Sequence, residues 1–258
     1  MDTDKLKKIT LSLLDTFLNA GERSLELRNK GLKQEIKQDN TPVTNGDIEV
    51  NNILTQKIEK ITPDIPIVSE ESSLNKSDTT LNNFWLIDPI DGTYDYIHNK
   101  DEFTLNAGLI IDKLPTVGII YAPAKNRLFY SYGEGFSFEM INKKEKKLNC
   151  EKTTQQNTIK AVSYSNKLIP EIAEWHKKIG VTEYVKMKSS IKFCVIATGE
   201  YDLYVAEPRA NEWDIAAGHA ILKNAGGVIT DFDGNEILYG KNNFKNPSLI
   251  LKRNINLK

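Results

Sequence analysis

A covered strand that ends in paired acids constrains this chain more than any other feature. Phe84-Trp-Leu-Ile87 is short, apolar and aromatic, the pattern of a buried strand. It runs directly into Asp88-Pro-Ile-Asp91-Gly-Thr93. Pro89 has no N–H to donate, so the ladder is expected to stop there. Asp91-Gly92 is a turn signal, and Thr93 is placed to cap the next element, leaving backbone N–H groups beside the carboxylates. A fold that contains this run must bury the strand and bring its end to a cleft, with two carboxylates aimed at one place. A divalent cation suits those carboxylates and an anion such as phosphate suits the N–H groups. Asp-Pro and Asp-Gly also form ordinary turns, so the reading depends on what stands elsewhere in the chain.

Helical periodicity covers residues 3–29, with Leu6, Ile9, Leu13, Leu14, Phe17 and Leu18 on one stripe and Gly21 as a candidate break. Residues 31–42 are polar and read as a short strand and loop. Thr44-Asn-Gly-Asp47 has the capping-box form and opens a second helix, closed by Pro63 and Pro66. Residues 65–69 read as a buried strand with Glu70-Glu71 at its end. Strand patterns at 104–111, 115–121, 127–132 and 136–141, joined by short turns, predict an antiparallel meander. The charge cluster from Lys143 to Lys147 reads as a solvated turn. After a polar stretch at 149–158, strands at 159–163, 183–186, 201–205 and, last, 227–230 alternate with helices at 169–179, 189–198 and 213–225. Such alternation predicts an α/β layer. The expected fold is therefore α+β followed by α/β: a layered sandwich whose residues 1–150 carry most of the acidic cluster and whose residues 151–258 form the α/β half.

Composition narrows the chemistry. A formal net charge of −1 over 258 residues gives no reason to expect nucleic acid or an anionic membrane as partner. No apolar run is long enough to span a bilayer, and the opening Met-Asp-Thr-Asp-Lys-Leu-Lys-Lys lacks a signal peptide's apolar core. Cys150 and Cys194 form no C-x-x-C pair, which fits a reducing cytoplasm, with peripheral attachment to the inner membrane left open. His98, His176 and His219 make no ligand pair. Acidic oxygens are the one well-supplied ligand type, which favours Mg²⁺ or Mn²⁺ over Zn²⁺.

Five carboxylates sit where an element could aim them: Asp47 and Asp214 in first helical turns, Glu70 at a strand end, Asp88 and Asp91 around Pro89. Helix-dipole stabilisation, worth about 0.3–1 kcal/mol, is the plainer account of Asp47 and Asp214. Taken together, Glu70-Glu71, Asp88-Pro-Ile-Asp91-Gly-Thr93 and Trp213-Asp214 followed by Gly226-Gly227 resemble the inositol monophosphatase superfamily of Mg²⁺-dependent, lithium-sensitive phosphatases. The resemblance runs from Pro42-Val-Thr-Asn-Gly-Asp47 to Gly226-Gly227. Ser189-Ser-Ile-Lys192-Phe-Cys194 and Trp213-Asp-Ile-Ala-Ala-Gly-His219 look like its 3′(2′),5′-bisphosphate nucleotidase branch, which removes the 3′-phosphate of adenosine 3′,5′-bisphosphate.

The resemblance implies an αβαβα sandwich of the sugar-phosphatase type and assigns roles. Glu70, Asp88, Asp91 and Asp214, with the Ile90 carbonyl, would hold two or three Mg²⁺ ions, Mn²⁺ being a substitute. Asp47 and Thr93 would orient and deprotonate the attacking water, with Glu70 also in the catalytic set. Gly92 and Thr93 would offer N–H groups to the phosphate, while Ser189, Lys192 and Asp214 would contact substrate. The partner would be a small phosphorylated molecule, a nucleotide, bound by a monomer or homodimer. Two departures touch substrate recognition. The branch's Ser-x-Ser-His segment reads Ser163-Tyr-Ser165-Asn166, and Ala206 follows Tyr204-Val205 where many bacterial members carry Arg nearby. Lys192 and Arg209 are the candidates for the missing positive charge. An inositol or sugar phosphate phosphatase on the same scaffold is the alternative.

Overall fold

The apolar stripe of the first helix decides what lies beneath it. In the computed structural model, which describes residues 1–37, 40–72, 74–78, 80–150 and 158–254, helix α1 (Thr3–Lys30) buries Leu6, Ile9, Leu13, Leu14 and Phe17. Asp2 caps it by accepting from the Lys5 N–H at 2.8 Å. The helix continues through Gly21, against the expected break: the Tyr121 ring occupies the place a Cβ would take, so Gly21 serves close packing. A two-stranded antiparallel ribbon, β1 (Gln34–Ile36) and β2 (Pro42–Thr44), leads into α2 (Asn45–Ile61). Its Thr44–Asp47 capping box forms as the sequence predicts.

Next come β3 (Ile67–Ser69), β4 (Phe84–Asp91), the short α3 (Thr93–Ile97), β5 (Thr104–Ile111), β6 (Leu114–Ala122), β7 (Arg127–Ser131), β8 (Ser137–Ile141) and β9 (Lys144–Lys147). All these strands form one seven-stranded sheet in chain order, parallel between β3 and β4 and antiparallel thereafter. The predicted meander is present. It extends one strand further than expected, because Lys144–Lys147 pairs with β8 as an exposed, lysine-rich edge and is not a solvated turn.

The rest comprises β10 (Ile159–Ser163), α4 (Pro170–Ile179), β11 (Val181–Lys186), α5 (Ile191–Ala197), β12 (Leu203–Ala206), α6 (Glu212–Asn224), β13 (Val228–Thr230) and β14 (Leu249–Lys252). The second sheet has the order β11-β10-β12-β14-β13. Strand β13 is not the last: Leu249–Lys252 returns antiparallel between β12 and β13. The polar stretch at 149–158, expected to divide the halves, falls largely outside the described residues.

The layers stack as α1/α2, first sheet, α5/α6, second sheet, α4. The central helical layer is the key to the site. Helix α6 lies so close to the first sheet that a Cβ on Gly108 would stand 2.7 Å from Ala216 Cβ, and one on Gly118 would overlap the Ala217 carbonyl. One hydrophobic cluster joins Phe84, Leu86 and Ile120 of the first sheet to Phe193, Ala217 and Leu251. No described helix is long and apolar enough to cross a membrane.

Candidate metal centre and adjoining cavity

Asp88 and Asp91 lie three residues apart, which in a regular strand would put them on opposite faces. Between them β4 spends three residues where β5 spends two: Asp88 pairs with Asn106 and Asp91 with Thr104. The extra residue is a bulge at Pro89 and Ile90, where a missing N–H costs the ladder least. The ladder, expected to stop at Pro89, is instead shifted there and resumes at Asp91. The bulge turns both carboxylates to the face shared by Asn106 and Thr104.

Glu70 reaches the same face from the end of β3, where its N–H donates to the Ile87 carbonyl at 3.0 Å. Asp214 reaches it from the N-terminus of α6, its Oδ2 accepting from the Asn211 N–H at 2.7 Å. Glu70, Asp88 and Asp214 each offer an oxygen within 4.8 Å of the other two. The five predicted carboxylates thus converge from four separate elements, and Asp214 comes from the far half of the chain. Burial raises the Asp88 carboxyl well above the usual carboxylate range, and Glu70, Asp91, Asp214 and Asp47 push it further. Burial does the same to Asp214, with Asp91 and Glu70 adding to it. Asp88 is 2% exposed and its Oδ1 has no hydrogen-bond partner among the described residues. A buried, unpartnered carboxylate oxygen inside a cluster of like charges is costly unless cations complete it. The donor set is all hard oxygen, so these residues fit Mg²⁺ or Mn²⁺.

Beside the cluster stands the pair expected to handle water. Thr44 holds Asp47 Oδ2 through its N–H at 2.8 Å and its hydroxyl at 2.6 Å, leaving Oδ1 toward Thr93 Oγ1 at 3.1 Å. Thr93 Oγ1 also lies 3.0 Å from the Ile90 carbonyl. Burial raises the Asp47 carboxyl, and its hydrogen bonds from Thr44 and Thr93 partly offset this. Thr93 does not cap α3, contrary to expectation. Gly92 takes the cap position with a left-handed φ of 95°, and its hydrogen faces the Glu102 carbonyl, where a Cβ would come within 2.7 Å. The Thr93 hydroxyl is thereby kept for Asp47.

Several neighbours escaped the sequence reading. Ser190 Oγ lies 2.6 Å from both Asp91 Oδ2 and the Asp214 carbonyl, and it accepts from Asn106 Nδ2 at 3.0 Å. It ties β5, β4 and α6 together at the cluster. Lys37, from the loop after β1, reaches Glu70 at 3.2 Å and Glu71 at 2.6 Å. Burial raises the Glu71 carboxyl to about 6 even so. The one hint in the sequence was the doubling of Ser189-Ser190. Nothing local ties Lys37 to a carboxylate more than thirty positions away.

A cavity of about 130 Å³ opens from Asp91 and Asp214 toward Ser189, Lys192, Tyr204 and Arg209. Ser189 is buried in the left-handed region at φ 54°, and its carbonyl accepts from Lys192 Nζ. Burial lowers the Lys192 ammonium to about 8, although Asp91 opposes the fall. Of the two departures, Ala206 lines this cavity and Asn166 does not; the Asn166 carbonyl accepts from the Tyr184 hydroxyl at 2.8 Å. His219, packed against Tyr239, takes no part.

The chain is similar to known proteins over most of its length. Residues 5–256 match the family model described as the Inositol monophosphatase family. A 3′(2′),5′-bisphosphate nucleotidase CysQ from Buchnera aphidicola is 34% identical over 243 residues, covering 92% of this chain and 91% of its own length. The CysQ of Escherichia coli K12 is 31% identical, covering 89% and 93%. The crystal structure of CysQ from Bacteroides thetaiotaomicron superposes with a TM-score of 0.78 at 28% identity, covering 94% of this chain and 96% of that one.

Proposed function

Because the chain belongs to the inositol monophosphatase family, we propose that it is a Mg²⁺-dependent 3′(2′),5′-bisphosphate nucleotidase, converting adenosine 3′,5′-bisphosphate and water to AMP and phosphate. The observation that carries this reading is the convergence of Glu70, Asp88 and Asp214, with Asp91 acting on Asp88 and Asp214 from alongside, near the hydrogen-bonded Asp47–Thr93 pair. Identities of 31–34% over most of the chain with CysQ nucleotidases support the substrate.

Glu70, Asp88, Asp91, Asp214 and the Ile90 carbonyl would hold two or three Mg²⁺ ions, or Mn²⁺ in their stead. These ions would neutralise the phosphate, acidify the attacking water and favour the leaving oxygen. The chain's own groups do the rest. Thr93 Oγ1 takes the proton of the attacking water as it passes its own to Asp47 Oδ1, 3.1 Å away. Thr44 keeps Asp47 aimed for that transfer. The N–H groups of Gly92 and Thr93, at the start of α3, would donate to a phosphate oxygen. The P–O bond to the 3′-oxygen breaks, and that oxygen leaves with a proton from solvent. Ser189 and Lys192 contact the nucleotide. Little covalent work falls to the protein, so positioning and charge neutralisation set the rate. The buried thiols of Cys150 and Cys194 are compatible with a cytoplasmic enzyme.

The test compares phosphate release from adenosine 3′,5′-bisphosphate, AMP and inositol 1-phosphate at equal Mg²⁺. Preference for the bisphosphate is the expected result. Preference for inositol 1-phosphate would overturn the nucleotidase reading in favour of the sugar-phosphate alternative.

A further inference from the structure

Glu70 is held from an edge. It follows β3, a three-residue strand at the border of the first sheet that pairs with β4 alone. Asp214 comes from the far half of the chain, and ionised carboxylates within 4.8 Å of one another repel. The loop after Glu70 folds back on its own strand. The Ser72 N–H donates to the Ser69 carbonyl at 3.2 Å. Asn75, in the left-handed region at φ 62°, donates from Nδ2 to the Ile67 carbonyl at 2.9 Å. This fold-back brings Lys76 beside Glu70, where its Nζ donates to the Glu70 carbonyl at 2.7 Å.

The same ammonium reaches the other half of the chain. Lys76 Nζ lies 4.9 Å from the centroid of the ring of Trp213, the residue before Asp214. An ammonium over an aromatic face is attracted by the ring's quadrupole, and indole offers the strongest such face among the side chains. The ring has little room to yield. Trp213 is buried, and its ring centroid lies 6.0 Å from that of Phe244. The backbone beside it is fixed by Glu212, fully buried, which accepts from the N–H groups of Gly240 and Lys241 at 2.8 and 2.9 Å. One charged side chain therefore spans the main chain of one ligand and the immediate neighbour of another.

We propose that Lys76 is a positioning residue for the metal centre, setting the spacing of Glu70 and Asp214 through the Glu70 carbonyl and the Trp213 ring. This deepens the metal-dependent reading of the site and rests on it, though not on the choice of substrate. Without the tie, mutual repulsion spreads the two carboxylates, and part of the binding free energy goes into drawing them back. With it, the ligands wait near their final separation, as groups behind the ligands of a metal site commonly arrange. The charge of Lys76 also acts directly, because it repels an incoming cation and so opposes the benefit of the tie. The two effects are separable. The direct repulsion is the same whatever residue stands at 213, whereas the tie needs the indole face.

The experiment titrates Mg²⁺ into the metal-stripped full chain by calorimetry, for wild type, Lys76→Met, Trp213→Leu and the double variant. Lys76→Met keeps the aliphatic stem and removes the donor and its charge. With Trp213 in place it is expected to weaken Mg²⁺ affinity about tenfold. In the Trp213→Leu background the loss should fall to about twofold or less, because no tie is left to remove. Lys76→Arg, which still donates to a carbonyl and stacks on indole, should restore most of the affinity. An equal effect of Lys76→Met in both backgrounds overturns the positioning role. So does a Lys76→Arg variant as weak as Lys76→Met, a comparison that stands even if Trp213→Leu is too unstable to titrate. A wild type that binds no Mg²⁺ overturns the metal reading instead, so the two failures are distinguishable.

Discussion

Replacing Asp88 with Asn should make the metal-free protein more stable while disabling it. Asp88 is buried and its Oδ1 lacks a partner among the described residues; Glu70 and Asp214 each bring a carboxylate oxygen within 4.8 Å. At an effective dielectric constant of about 20, two unit charges at that distance repel by about 3.5 kcal/mol. Proton uptake by the cluster and the Lys37 ammonium near Glu70 relieve part of this. A net gain of about 1–3 kcal/mol is left for the near-isosteric amide, or roughly 3–10 °C in Tm for a chain of this size. The pH dependence comes from the direction of the shifts. Folding raises the proton affinity of Asp88 and Asp214 above that of the unfolded chain, so the folded state binds more protons. Stability of the metal-free protein therefore falls as pH rises from about 4 upward, and Asp88→Asn should flatten that slope. The assay is thermal unfolding in chelator and in excess Mg²⁺ between pH 5 and 8, alongside turnover. Wild type should gain Tm from Mg²⁺, and the variant should start higher in chelator, gain little and turn over at background level. A variant no more stable than wild type in chelator, or one with the same Mg²⁺-induced gain, would refute the reasoning.

Other substitutions probe the neighbours. Asp47→Asn should keep the fold and the Mg²⁺-induced Tm gain while lowering kcat at least 100-fold, since only the proton acceptor for Thr93 is lost; near-normal kcat would remove Asp47 from the mechanism. Ser190→Ala should weaken Mg²⁺ affinity about tenfold by calorimetry, because Asp91 and the Asp214 carbonyl lose their common tie, and Ser190→Thr should restore most of it. Equal affinity in wild type and alanine variant would refute that tie. Gly92→Ala should cost about 2–4 kcal/mol in chemical unfolding, combining a left-handed backbone with a contact to the Glu102 carbonyl. A cost below about 0.5 kcal/mol would mean the turn relaxes freely.

The acidic residues were legible because each stands at a punctuation mark in the sequence: a capping box at Asp47, a strand end at Glu70, a Pro-Gly interruption around Asp88 and Asp91. What local pattern cannot carry is how the chain passes those marks. Pro89 signals that a hydrogen bond is missing, and a strand end and a bulge both satisfy that signal; only the partner strand, with Thr104 waiting for Asp91, decides between them. Gly21 likewise signals either a break or a close approach, and Tyr121 decides. Strand β14 escaped because its neighbours, β12 and β13, are not adjacent in sequence on both sides. Ser190 and Lys37 escaped for the same reason: their meaning lies in oxygens brought near by the fold.

The seating of α6 on Gly108 and Gly118 has a consequence during synthesis. The groove that receives the helix is made early, but the helix that fills it ends only at Asn224. Before α6 is made, the apolar face of the first sheet lies bare and Glu70 and Asp88 lack Asp214; a single helix then covers that face and brings in the distant carboxylate together.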